Sequence, residues 1–359
     1  MKALPLLIQM LRAPHAMRAL DLSQWDLLVR QARRANLLAS LHGMLQAHGL
    51  LDDVPPAALK HLAWSRCVSD KHIEAVRWEV RQIRAALRAT HVPVILLKGA
   101  AYVMADLPAA QGRLFSDVDI IVPKARLDEV EAALMLGGWV ATQHDAYDQR
   151  YYRQWMHELP PMQHMRRMSV IDVHHAILPE TARVHPSPDK LRAASMAVPG
   201  CDDLRVFCPA DMVLHSAVHL FHDGELEQGL RDLVDLHRLF AHFGAEPSFW
   251  TVLPARAAEL GLLRPLFYAM RYANAMLATP IPASALLAAR ADAPNAALLV
   301  VMDQLFLRAL LPAHASCADV LSGTARGMLY IRANWLRMPP LLLARHLFHK
   351  AFLSPKNVP

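Results

Sequence analysis

Phe115-Ser116-Asp117-Val118-Asp119-Ile120-Ile121-Val122 decides the fold. It places two carboxylates two residues apart on a run of β-branched and apolar residues. A strand repeats its side-chain direction every second residue, so Asp117 and Asp119 project from one face. Like charges held side by side repel, and folding alone gives no reason to pair them. A divalent cation between them removes the penalty, and the chemistry is expected here.

Two neighbouring stretches complete the pattern. Upstream, Val92-Pro93-Val94-Ile95-Leu96-Leu97 reads as a buried strand that runs into Lys98-Gly99-Ala100. A strand, a glycine turn and a helix start make a phosphate cradle, because a helix N-terminus offers free N–H groups and a positive dipole end. Downstream, Ser169-Val170-Ile171-Asp172-Val173-His174 reads as a further strand with one carboxylate in apolar company.

The order of Leu97-Lys98-Gly99, Arg113, Asp117-Val118-Asp119 and Asp172-Val173-His174 resembles the nucleotidyltransferase superfamily, of polymerase-β-like fold. Within it the match is to a large, poorly characterised bacterial branch. The resemblance is carried by residues 91–178, with weaker similarity in the helices beyond. It implies that Asp117, Asp119 and Asp172 are the catalytic, metal-binding carboxylates. Where the wider superfamily has a Gly-Ser pair after the first strand, this chain has Lys98-Gly99-Ala100, with no serine.

The expected fold is α+β: a small mixed sheet at 91–178, N-terminal helices over 1–90 and a helical domain over 179–359. The chain has 359 residues, 54% of them apolar and only 13 of them glycine, a balance that favours helices around a small sheet. Spacing of Ile73, Val76, Val80, Ile83 and Leu87 predicts a helix over 71–89. Leu127 to Leu136 reads as a helix capped by Gly137-Gly138, followed by a strand at Trp139 to Thr142. Tyr151 to His157 and Gln163 to His175 read as two strands joined through Pro160-Pro161. A proline-bearing connection follows, and from about 205 onward the chain reads as helical, with Pro209 in a first helical turn.

The chemistry this implies is metal-assisted nucleotidyl transfer. Asp117 and Asp119 bind Mg²⁺, a hard cation that prefers oxygen ligands. Two ions are expected, which in such sites stand ~3.5–4 Å apart. Asp172 completes the metal site or draws the proton from an acceptor hydroxyl. Lys98, Gly99 and Arg113 form the nucleotide-binding set; Lys98 and Arg113 meet the triphosphate, Arg113 in the bidentate manner open to a guanidinium. His174 and His175 are read as packing or hydrogen-bonding residues. His215 and His219 share a helix face, could bind a metal and, with His222-Asp223 and Asp235, faintly resemble the HD phosphohydrolases; a structural or acceptor-cleft role is favoured for them over a second metal site.

A net charge of +6 suits an anionic substrate, nucleic acid or an anionic membrane surface alike. The expected partners are a nucleoside triphosphate, ATP foremost, and a small-molecule or protein acceptor. Two other readings stand beside this one: an inactive nucleotide-binding module serving regulation or assembly, and an enzyme that extends RNA ends. No basic stripe interleaved with aromatics supports nucleic acid. Four cysteines without Cys-x-x-Cys spacing point to reduced thiols in the cytoplasm. The apolar run Ala296 to Leu311 is too short and too charged to span a bilayer. Trp335 to Phe352 mixes leucines with basic residues, so peripheral membrane contact is one expectation for it and a packed helix the other.

Overall fold

Asp117–Ile121 is a strand, and it is flanked on both sides in a seven-stranded sheet. The strands are β1 (Val94–Leu96), β2 (Asp117–Ile121), β3 (Trp139–Ala141), β4 (Met162–His164), β5 (Val170–His174), β6 (Met196–Val198) and β7 (Cys201–Val206). Their spatial order is β3-β4-β5-β2-β1-β7-β6. β2 runs antiparallel to β1 and parallel to β5, β1 runs parallel to β7, and the outer pairs are antiparallel. The fold is therefore α+β with a mixed sheet, as expected. It comes from a computed structural model that describes residues 4–142, 146–222, 224 and 226–345.

The central strands are apolar where they are covered on both faces. Ile120, Ile121, Ile171 and Leu96 are all fully buried, and they join one continuous core with residues of the helices. The long helix Pro56–Leu87 starts well before the predicted 71–89, with Pro56 in its first turn. It buries Val76, Val80, Ile83 and Leu87, the apolar stripe seen in the sequence. The helix Leu127–Leu136 matches its predicted bounds. It ends at Gly137, and Gly138 takes the left-handed φ of +98° that turns the chain into β3.

Three expectations are corrected. Tyr151 to His157 is not a strand: Ala146–Trp155 is a helix. Tyr151 and Trp155 lie one turn apart and meet edge to face, while Arg153 pairs with Glu131. Gln163 to His175 is not one strand but β4 and β5. The turn between them has Met168 in the left-handed region, and His164 Nδ1 accepts from the backbone N–H groups of Arg166 and Arg167. Arg167 is pinned there by Glu79 and by the rings of Trp78 and Trp139. The connection to residue 205 is also more than a link between the sheet and the later helices. It holds a short helix, Pro188–Ala193, and the hairpin of β6 and β7, which extends the sheet beyond residue 178.

The helices after the sheet include Pro209–His222, whose His215 lies near enough to Asp119 to act on its charge, and Gly229–Phe243, whose Asp232 and Asp235 face Arg113. Among the described residues no single helix is long and apolar enough to cross a membrane. Of the segment Trp335 to Phe352, residues 346–352 lie outside the described residues, as do Asp223 and the first three residues.

Candidate active site

Parallel pairing of β2 with β5 sets Asp119 opposite Asp172 and Asp117 opposite Val170. Paired residues and those two positions along share a face. Asp117, Asp119, Asp172 and His174 therefore stand on one side of the sheet. The three carboxylates predicted to act together are brought together.

The three are unequal. Asp119 is 6% exposed. Its Oδ1 lies 3.6 Å from Lys98 Nζ and 3.0 Å from His174 Nε2. Burial works against its charge, but Lys98 and the His174 hydrogen bond prevail, and its carboxyl is held far below the usual range. At Asp172 the charge of His174 helps too little. Burial and the charge of Asp119 push it up to about 7, and its Oδ1 is buried with no hydrogen-bond partner. Asp117 is raised by the same two causes. One ionised carboxylate thus sits beside two that resist ionisation, which is the electrostatic signature of a site short of positive charge.

Lys98 reaches Asp119 from the first residue of the helix Lys98–Met104. Its φ of +42° is left-handed, which is unusual for a residue with a side chain. The following Gly99 leaves no room for more: a Cβ there would come within 2.8 Å of Phe115 Cδ1 and 3.3 Å of Arg113 Nε. Gly99 thus lets the loop ahead of β2 close onto this helix. Packing accounts for the glycine.

Arg113 lies nearby but is already engaged. It forms an ion pair with Asp235 and stands 3.9 Å from Asp232, both on the helix Gly229–Phe243. Its guanidinium also lies 5.9 Å from the rings of Tyr102 and Phe115. The histidines expected near an acceptor cleft divide. His215 is buried, and burial together with Lys98 and His174 holds its pKa well below the ordinary value, so it is neutral. His219 borders a cavity of about 810 Å³ that also touches Arg231, Asp232, Arg326 and Tyr330. Asp235, grouped with the histidines by sequence, belongs to Arg113.

Sequence reasoning missed the far side of Asp119. His174 Nδ1 stands 3.1 Å from Glu158 Oε2, and His157 stacks obliquely on the His174 ring. Burial opposes an imidazolium at His174, but Glu158 and Asp119 outweigh it and raise its pKa. The signal was present in the dipeptide His157-Glu158, placed before a proline pair and facing a strand that ends in His174-His175.

A mixed sheet carries three carboxylates on one face, and a lysine reaches them from the adjoining strand-to-helix turn. The family described as an uncharacterised nucleotidyltransferase matches residues 21–278, and the chain belongs to that family. No curated protein matches it. The matched span takes in the sheet, the helices from Leu22 up to it and the helices Pro209–His222 and Gly229–Phe243 after it, so the match extends well beyond the carboxylate strands.

Proposed function

We propose that the protein transfers a nucleoside monophosphate from a nucleoside triphosphate, with ATP the expected donor, to a hydroxyl, phosphate or protein side chain. The observation that carries this reading is the buried, unpartnered Oδ1 of Asp172 beside Asp119. An all-oxygen set with one orphaned acceptor fits Mg²⁺, which Asp117, Asp119 and Asp172 would hold. The bound ions would supply positive charge for the phosphate oxygens of donor and transition state.

The chain's own residues do the rest. Lys98 keeps Asp119 ionised and presents its ammonium where a triphosphate would lie. Arg113, fixed by Asp232 and Asp235, adds a guanidinium whose position is set before the nucleotide arrives. Asp172 would either complete the metal set or, where it stays off the metal, draw the proton from an acceptor hydroxyl, a role its raised pKa suits. The catalytic unit proposed is the sheet, with residues 1–90 and the helices after 206 as its walls. The four cysteines are free thiols, which goes with the proposed cytoplasmic location.

A thermal-shift titration of wild type and Asp117→Asn with ATP, GTP, CTP and UTP, each with and without Mg²⁺, tests the reading. The expected result is Mg²⁺-dependent stabilisation by one nucleotide, about 2.7 kcal/mol at a hundredfold excess over Kd, lost in the variant. The same nucleotide, radiolabelled, should then transfer its monophosphate in wild type only. Full transfer activity in Asp117→Asn would overturn the assignment.

A further inference from the structure

His157, Glu158 and His174 bring three ligand atoms within 4.8 Å of one another. The backbone fixes this meeting. Glu158 and His174 form an antiparallel bridge, His175 N–H donates to the His157 carbonyl at 2.8 Å, and Leu159 N–H donates to the Val173 carbonyl at 2.9 Å. The segment is laid along the end of β5, so neither histidine has to be gathered from a loose loop. Both histidines are buried, and the Glu158 side chain is 18% exposed.

The donor set differs in kind from the carboxylate face. Two imidazole nitrogens and one carboxylate oxygen suit a borderline-soft ion such as Zn²⁺ better than Mg²⁺, which prefers oxygen alone. Zinc bonds of about 2.0–2.2 Å put tetrahedral ligands roughly 3.4 Å apart. Glu158 Oε2 and His174 Nδ1, at 3.1 Å, are already close to that spacing. The tautomer agrees as well. A metal on His174 Nδ1 requires the proton on Nε2, and Nε2 faces Asp119 Oδ1 at 3.0 Å. A metal-bound histidine that donates its other N–H to a carboxylate is the usual way such a ring is held.

We propose that His157, Glu158 and His174 bind one Zn²⁺-like ion, separate from the magnesium site, and that this ion orients Asp119 through the His174 Nε2–H bond. His174 is then a positioning residue. The alternative is a metal-free arrangement in which a doubly protonated His174 bridges Asp119 and Glu158.

The test uses the full chain, stripped with a chelator and titrated with Zn²⁺ against a chromophoric competitor in millimolar Mg²⁺. One Zn²⁺ per chain is expected. His157→Ala should weaken it by at least about 100-fold, with circular dichroism unchanged, and Asp117→Asn should leave it as in wild type. Co²⁺ loaded into wild type should give the visible absorption of a four-coordinate nitrogen-containing site. Absence of Zn²⁺ binding at micromolar concentration, wild-type affinity in His157→Ala, or loss of the ion in Asp117→Asn would overturn the proposal. If His157→Ala does not fold, a weak six-coordinate Co²⁺ spectrum in wild type overturns it equally. Loss of transfer in Asp117→Asn with Zn²⁺ retained separates this site from the proposed activity.

Discussion

Asp172→Asn should make the metal-free protein more stable while removing its proposed activity. The half-buried Asp172 carboxyl, beside Asp119, is pushed from an ordinary 3.8 up to about 7. At about 1.36 kcal/mol for each pH unit, ionising it in the folded chain costs up to about 4 kcal/mol at pH 8. Water that still reaches the group screens part of this, so a gain of about 2–4 kcal/mol is expected from the neutral asparagine. The sign follows from linkage. An acid whose folded value is raised binds its proton more tightly in the folded chain, so its destabilising effect is absent below about pH 4 and grows as pH rises toward 7. Asp117 and His174 are also raised and act in the same direction, so only the difference between variant and wild type isolates Asp172. The assay is urea unfolding of both proteins in EDTA at pH 8 and pH 5. The gap at pH 5 should be less than half that at pH 8. With saturating Mg²⁺ the order should narrow or reverse, because only wild type retains the full ligand set. A variant less stable than wild type at pH 8, or a gap that does not shrink at pH 5, would refute the electrostatic reasoning.

Two further substitutions probe how the site is held. Asp235→Ala leaves the buried Arg113 guanidinium with Asp232 at 3.9 Å as its remaining ion-pair partner; the expected loss is about 2–4 kcal/mol in urea unfolding, partly recovered in the double variant Arg113→Met/Asp235→Ala. Gly112→Ala places a Cβ within 2.6 Å of Ser40 Cα and 2.7 Å of the Ala39 carbonyl carbon, at a φ of +70°. Overpacking against backbone together with left-handed strain should cost about 3 kcal/mol, read as a lower Tm, whereas Gly49→Ala, at a left-handed φ of +64° with open space around it, should cost only the strain.

Much of the carboxylate face was legible because it rests on the period of a strand. Asp117 and Asp119 needed only alternation, and Asp172 only an apolar strand of the same kind. The Leu127 to Leu136 helix was legible from its periodicity and its glycine end. What escaped was set by partners distant in the chain. Nothing local to Arg113 announces Asp235, and nothing local to His174 announces Glu158. The β6–β7 hairpin did leave a trace: Pro199-Gly200 marks a turn, Gly200 has φ of +76°, and Leu204 and Val206 alternate with Asp203 and Arg205. The polar residues hid a strand whose inner positions are buried. In 151–155 the four-residue spacing of Tyr151 and Trp155 fits a helix, which the strand reading passed over.

The pairing of Val94 with Leu204 has a consequence for biogenesis. During synthesis at about 5–20 residues per second, on the order of a hundred residues must follow β1 before its second neighbour exists. For those seconds the strand leading into Lys98 has one side unsatisfied, an apolar edge open to any other extended chain. Its length of three residues limits what can adhere there. The last hydrogen bonds to close beside the turn at Lys98 therefore wait until more than half of the chain has been made.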